Sequence, residues 1–102
     1  MATAAHQTIE GRRQTEQTRL DSLKSAAERN KWGQFATPFE LALCLARYAH
    51  ETLGESRLRF LDPALGTGSF FSALSQAVPA KTIEAAAGVE LDPLFAEAAE
   101  KL

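Results

Sequence analysis

The feature that most constrains this chain is a glycine-bearing turn between a short apolar strand and a helix. The predicted strand covers residues 58–61, and the turn after it reads Asp62-Pro63-Ala64-Leu65-Gly66-Thr67-Gly68-Ser69-Phe70. Glycine adopts positive φ without a Cβ clash, and a helix N-terminus offers free N–H groups to polar ligand atoms. The turn therefore predicts an α/β fold that binds a ligand where the strand ends.

The segments around the turn extend this pattern in a fixed order. A helix is predicted to begin at Thr37-Pro38-Phe39-Glu40, with Thr37 as N-cap, Pro38 at the first helical position and Glu40 closing a capping box. After the turn come a helix ended by Pro79, a strand over residues 86–91 and a last helix starting at Asp92-Pro93. The order helix, strand, glycine turn, helix, strand, helix predicts the opening of a parallel, doubly wound α/β sheet.

Each of these helices carries an apolar face that predicts its core contacts. The three sets are Leu41, Ala42, Leu45, Ala46, Tyr48, Ala49 and Leu53; Phe70, Phe71, Leu74 and Ala77; and Leu94, Phe95, Ala98 and Leu102. Cys44 lies inside the broad apolar stripe that the first set forms, so we expect a buried, unreactive thiol. As the single cysteine of the chain, it excludes an intramolecular disulfide framework and a cysteine-based zinc site.

Residues 1–31 differ from the rest of the chain because they are polar and hold few large apolar side chains. We expect a polar N-terminal extension that is partly helical or disordered, with disorder over residues 1–11 and an amphipathic helix over residues 18–29. A solvated helix or tail is the favoured interpretation of this segment. A basic arm that touches DNA phosphates is the alternative.

Composition limits the classes of protein to which the chain can belong. A formal net charge of −2 leaves no basic footprint for nucleic acid or a membrane surface. The longest unbroken apolar run, residues 41–46, is too short to span a bilayer, and the N-terminus lacks an apolar signal-peptide core. These features predict a soluble, cytoplasmic protein.

Two carboxylates narrow the choice of ligand. Asp62 ends the first predicted strand and would repel a pyrophosphate, whereas it suits an ammonium or sulfonium charge. Glu90 lies near the end of the second strand, where an acidic side chain can accept hydrogen bonds from ribose hydroxyls. The turn also lacks the third glycine of a dinucleotide fingerprint, since Phe71 occupies that position. A cationic nucleoside with a free ribose, S-adenosylmethionine, fits both carboxylates.

Three motifs resemble one family in order and spacing. The turn sequence of residues 62–70 resembles the cofactor motif of adenine-specific DNA methyltransferases, with Leu65 in place of the commoner cysteine. Gly33-Gln34-Phe35-Ala36-Thr37-Pro38 is similar to the segment that precedes that motif, and Gly88-Val89-Glu90-Leu91-Asp92-Pro93 is similar to the second-strand motif. The resemblance implies a Rossmann-like class I methyltransferase domain, incomplete in its sheet, over residues 32–102.

The same resemblance implies roles for individual residues. Phe35, Thr37 and Pro38 would contact the methionine end of S-adenosylmethionine, and Asp62 would face its amino group. The remaining implied contacts are a close backbone wall at Ala64, Gly66 and Gly68, the ribose at Glu90 and the adenine ring at Leu91. None of these residues would perform the chemistry, and no metal is implied.

The 102-residue sequence does not contain the family's Asn-Pro-Pro-aromatic motif, which binds the flipped adenine. We therefore expect the S-adenosylmethionine-binding portion of a restriction–modification enzyme that methylates adenine N6 in DNA, inactive by itself and truncated relative to the family. Its expected partners are DNA, through the missing part, and a complementing chain. The alternatives are a methyltransferase fragment for RNA or protein, a non-catalytic subunit of a split enzyme, and a dinucleotide-binding oxidoreductase fragment.

Overall fold

The computed structural model describes residues 8–54 and 57–102, and it combines helices with a small two-stranded parallel sheet. The elements in chain order are α1 Ile9–Ser22, α2 Ala26–Trp32, α3 Phe39–Leu53, β1 Leu58–Asp62, α4 Ser69–Ala77, a 3₁₀ turn Ala80–Thr82, β2 Ile83–Gly88 and α5 Pro93–Glu100. From α3 onward this is the predicted order, so the structure agrees with the predicted α/β class. None of the helices in the described ranges has the length and apolar character needed to cross a bilayer.

The second strand lies three residues earlier than predicted. The prediction was wrong because pairing with β1 decides both ends of β2: Leu58 pairs with Ile83, and Asp62 pairs with Gly88. Beyond Asp62, β1 turns away at Pro63, and the ladder stops. Two further backbone hydrogen bonds continue across the gap, from Val89 N to the Asp62 oxygen and from Leu65 N to the Val89 oxygen, both 2.9 Å. They join the glycine turn to the segment that carries Glu90.

The main apolar core lies between α3, α4 and the first strand. Its buried members are Ala42, Leu43, Ala46, Leu58, Ala73, Leu74 and Val78. Three of them are alanines on the two facing helices, and such small side chains let helix backbones approach closely. Phe60 of β1 extends this core and packs against Phe71 of α4, with ring centroids 5.9 Å apart.

The predicted apolar face of α3 is only partly correct. Ala42 and Ala46 are buried as predicted, and so is Leu43, which the prediction omitted. The predicted core residues Leu41, Leu45, Tyr48, Ala49 and Leu53 are exposed. Packing against α4 selects the face that presents Ala42, Leu43 and Ala46, and the side chains on the other faces of α3 lie outside that contact.

Two further predictions for α3 are wrong. Cys44 is exposed, because it lies two residues from each of the buried alanines Ala42 and Ala46 and so about 160° around the helix from both. The helix begins at Phe39 with Pro38 as N-cap, and within the described range 8–54 no side chain caps it. Thr37 therefore precedes the cap position and forms no capping box with Glu40.

The N-terminal region contains two helices where one was predicted over residues 18–29. The chain leaves the helical path between Leu23 and Ser25, because the Ser25 side chain caps α2 by accepting a hydrogen bond from Glu28 N at 3.1 Å. Residues 8–11, predicted to be disordered, form the N-cap and first turn of α1, while residues 1–7 of that segment lie outside the described residues. Nor is α1 simply solvated: Leu20 is fully buried and packs with Phe95 and Ala98 of α5.

Candidate functional site

A cavity of about 480 Å³ lies where the glycine turn, the segment before α3 and the segment after β2 meet. This volume falls within the range of about 300–1,000 Å³ that small-molecule sites occupy. The residues that line it come from four stretches: Gln17 and Lys24; Trp32 to Thr37; Pro63 to Thr67 with Ser69 and Phe70; and Val89 to Pro93 with Phe95. All three segments that carry the sequence motifs thus contribute to one cavity.

The carboxylate of Glu90 is fixed at this cavity by two backbone groups. Its Oε1 accepts a hydrogen bond from Gly66 N at 3.0 Å, and its Oε2 accepts one from Asp92 N at 3.1 Å. A carboxylate has about four acceptor positions, so these bonds leave room for further donors. Glu90 therefore links the glycine turn to the start of α5 and keeps acceptor capacity for a ligand.

The two glycines of the turn have different surroundings. Gly66 has φ +58°, and no heavy atom of the described residues, apart from Gly66 and its two chain neighbours, lies within 4 Å of the position a Cβ would take. Gly68 has φ +96°, and a Cβ there would lie 2.8 Å from Leu102 Cδ1. Gly66 thus lines the open cavity, whereas the close approach at Gly68 is made by Leu102.

Asp92 belongs to a polar cluster that closes one side of the cavity. Its Oδ2 accepts hydrogen bonds from Lys24 Nζ and, at 2.7 Å, from Gln34 Nε2, while its Oδ1 accepts one from Leu94 N at 3.0 Å and caps α5. Burial alone would raise the pKa of Asp92. The hydrogen bonds from Lys24, Gln34 and Leu94 N, with the charge of Lys24, outweigh burial and lower that pKa.

The charges that line the cavity do not balance. Lys24 and Asp92 form an ion pair, which leaves the carboxylate of Glu90 as the unpaired charge among the described lining residues. The apolar part of the lining includes the half-exposed aromatic side chains of Trp32 and Phe35, and Leu91, which is 83% exposed. The site can therefore take a ligand that combines a flat apolar part with hydroxyl donors or a positive charge.

Six of the nine residues predicted to bind a cofactor line this cavity: Phe35, Thr37, Ala64, Gly66, Glu90 and Leu91. Pro38 lies at a second, smaller hollow of about 250 Å³ that it shares with Thr37. Asp62 accepts a hydrogen bond from Ala64 N at 3.0 Å through Oδ1 and does not line the cavity. Its Oδ2 is buried without a hydrogen-bond partner among the described residues.

Sequence reasoning missed Gln17, Lys24 and Trp32, which belong to the segment interpreted as an extension or to its border. Lys24 and Asp92 are 68 residues apart in sequence, and no local sequence pattern predicts their contact. Gln34 could have been found, because it lies inside the Gly33–Pro38 motif. Among the described residues no group of histidine, cysteine and carboxylate side chains is arranged to hold a metal ion.

No protein-family model matches this chain. No solved structure matches it either. The resemblance of residues 33–38, 62–70 and 88–93 to methyltransferase motifs therefore stays an expectation from the sequence. The site is described by its own geometry: a fixed carboxylate, an open glycine and a partly apolar cavity.

Proposed function

We propose that this cavity binds S-adenosylmethionine and that the chain is the cofactor-binding portion of a DNA adenine-N6 methyltransferase with a Rossmann-like class I fold. The observation that carries the proposal is the placement of Glu90, which accepts hydrogen bonds from Gly66 N and Asp92 N beside a cavity of ligand size. A carboxylate held in this way presents its remaining lone pairs to the hydroxyls of a ribose.

Three further observations fit this ligand. Leu91 and the exposed aromatic faces of Trp32 and Phe35 offer apolar surface for an adenine ring. The open space at Gly66 allows a ligand to approach the backbone closely. Asp62 Oδ2 needs a hydrogen-bond donor, because a buried polar atom without a partner costs roughly 1–3 kcal/mol. Asp62 does not line the cavity itself but precedes the lining residue Pro63, and we propose that the amino group of S-adenosylmethionine supplies this donor.

The charge of the site favours S-adenosylmethionine over its demethylated product and over NAD. The unpaired carboxylate of Glu90 attracts a sulfonium and repels a pyrophosphate. S-adenosylmethionine should therefore bind more tightly than its neutral demethylated product, and both should bind more tightly than NAD. When bound, S-adenosylmethionine supplies an electrophilic methyl group, and the residues described here bind and orient it.

Calorimetric titration of the 102-residue chain with these three compounds tests the proposal. We expect the affinity order S-adenosylmethionine, demethylated product, NAD, and we expect Glu90→Gln to weaken the first two. Glu97→Gln is the matched control, because it removes the same charge from an exposed position on α5. Tighter binding of NAD, or equal effects of the two substitutions, would contradict the proposal.

The DNA substrate rests on the resemblance of residues 33–38, 62–70 and 88–93 to DNA methyltransferase motifs and needs its own test. A complementing chain that carries an Asn-Pro-Pro-aromatic motif should, together with this chain, transfer tritiated methyl groups to duplex DNA containing adenine. A duplex in which each adenine is already N6-methylated is the control. Label that goes instead into RNA or protein would favour the other methyltransferase classes.

A further inference from the structure

A buried polar network joins α1 to the middle of the glycine turn. Arg13 is 4% exposed and Thr67 is 2% exposed, although α1 and the turn are 54 residues apart in sequence. Arg13 Nη1 donates a hydrogen bond to Thr67 Oγ1 at 3.1 Å, and the Thr67 hydroxyl donates one to Gln17 Oε1 at 2.6 Å. The hydroxyl of Thr67 therefore uses its proton and one lone pair on α1.

The charge of Arg13 is neutralised inside the same network. Glu10 accepts hydrogen bonds from Arg13 Nε at 2.6 Å and Nη2 at 2.8 Å, which is a two-point contact of the guanidinium fork. Ser72 of α4, also buried, donates a further hydrogen bond to Glu10 Oε1 at 2.9 Å. Because the buried charge is paired and hydrogen-bonded, Arg13 can remain at the turn without a large desolvation cost.

Thr67 lies where the backbone of the turn is least restricted by its own side chains, so a contact from outside the turn has the largest effect there. It lies between Gly66 and Gly68, both at positive φ, and glycine is the residue whose backbone is least restricted by its own side chain. The turn also sets the direction of the Gly66 N–H, which holds Glu90. A shift of Thr67 would therefore move both the open backbone at Gly66 and the carboxylate.

We infer that Arg13 and Gln17 are positioning residues of the ligand site, which hold the Gly66–Gly68 turn in its binding conformation through the hydroxyl of Thr67. Thr67 itself lines the cavity, but its hydroxyl serves this contact. The N-terminal helix is thus part of the site. The ligand named in the test rests on the proposed function, whereas the holding of the turn does not.

The first measurement needs no ligand. The amides of Gly66 and Gly68 are bonded to Glu90 Oε1 and to the Leu65 oxygen, so their hydrogen exchange, followed by NMR, reports the geometry of the turn. Thr67→Val should speed exchange at both glycines by about tenfold, the effect of losing one or two hydrogen bonds. Thr67→Ser keeps the hydroxyl and should restore slow exchange, and the amide of Ala46 in α3 should be unchanged throughout.

Gln17→Met gives a second route in case Thr67→Val does not fold, because it removes the acceptor from a less buried position. Gln14→Met is its matched control: the same change one helical turn earlier, at an exposed residue that bonds Glu10 and not the turn. We expect faster exchange at the two glycines for Gln17→Met only. Unchanged exchange in Thr67→Val, or in Gln17→Met if Thr67→Val is unfolded, would overturn the inference.

Affinity for S-adenosylmethionine is the second measurement. Thr67→Val and Gln17→Met should each raise the Kd by about five- to tenfold, while Thr67→Ser and Gln14→Met stay close to the unmodified chain. If the unmodified chain binds no S-adenosylmethionine, the proposed function fails, and the exchange data alone decide the inference. If the chain binds and the two variants keep its affinity, Arg13 and Gln17 have no positioning role in binding.

Discussion

Two contacts in this molecule differ in chemistry. The contact of α3 with α4 is apolar, whereas the contact of α1 with the glycine turn is polar. The first buries apolar side chains, with alanines at Ala42, Ala46 and Ala73 facing each other. The second buries Arg13 and Thr67, which are joined by a hydrogen bond, and the buried Ser72 of α4 bonds the Glu10 that pairs with Arg13. Apolar packing depends on volume and area, whereas hydrogen bonds depend on distance and angle.

Because of this difference, the apolar contact controls the stability of the fold, and the polar contact controls the geometry of the site. Loss of apolar contact lowers the free energy of unfolding without redirecting any particular backbone group. Loss of a directional bond at Thr67 frees the turn that carries Gly66. We therefore expect substitutions in the α3–α4 core to change stability, and substitutions around the turn to change local order and ligand affinity.

The largest effect on stability should come from Leu74→Ala in the apolar core. Leu74 is buried, so the substitution should lower the free energy of unfolding by about 2–5 kcal/mol, measured by chemical denaturation. Leu45→Ala is the same change on the exposed face of α3 and should cost less than about 0.5 kcal/mol. Faster hydrogen exchange at Gly66 and Gly68 in the folded Leu74→Ala variant would show that the stability of the core and the local order of the turn are not independent.

The glycines of the turn should respond unequally to alanine. The φ of Gly66, +58°, lies within the left-handed region that other residues adopt, so Gly66→Ala should cost about 1–2 kcal/mol. Gly68, at +96°, lies outside that region, so Gly68→Ala should cost more, about 2–3 kcal/mol. Because Leu102 Cδ1 can rotate away, adding Leu102→Ala should not rescue Gly68→Ala. A full rescue would show that the side-chain contact, and not φ, requires this glycine.

Acid should loosen the polar contact before the apolar one. Burial alone would raise the pKa of Glu10, but hydrogen bonds from Arg13, Gln14 and Ser72 and the charge of Arg13 lower it below its ordinary value of 4.5. A lowered pKa in the folded state means that this stabilisation is complete above pH 4.5 and is lost as the pH falls through the folded value. Glu10→Gln should remove that part of the pH dependence, and exchange at Gly66 against pH measures it. An identical pH profile in the variant would exclude Glu10 as the titrating group.

The smallest effect is expected at the starts of the helices. Thr37→Ala should change stability by less than about 0.5 kcal/mol, because Thr37 lies outside the N-cap position of α3. Ser25→Ala removes the true cap of α2 and should cost about 0.5–2 kcal/mol in thermal or denaturant unfolding. A loss of S-adenosylmethionine affinity in Thr37→Ala at unchanged stability would assign Thr37 to the ligand. A loss of stability equal to that of Ser25→Ala would restore its predicted role as a cap.

Much of the local structure followed from neighbouring residues. The cap and proline that begin α5 at Asp92-Pro93 and the end of α4 before Pro79 depend on groups within four residues of each other. The positive φ of the turn is likewise encoded locally, by Gly66 and Gly68. The motifs predicted six lining residues of the cavity, among them Phe35, Gly66 and Glu90, but they also named Pro38, Asp62 and Gly68, which do not line it. The predicted limits of β2 were wrong because they depend on pairing with β1, which lies about 25 residues away in sequence.

The sequence by itself determined the order of the elements from α3 onward and the glycine turn, because short-range sterics and capping encode them. The prediction placed Glu90 within the second strand, whereas β2 ends at Gly88 and Glu90 follows it. Only the tertiary structure decided that α1 lies on the turn, that Lys24 meets Asp92, and that α3 buries Leu43 and exposes Cys44. These outcomes depend on contacts between residues far apart in sequence. Such contacts form only when the packing of whole helices brings one donor to one acceptor at hydrogen-bond distance.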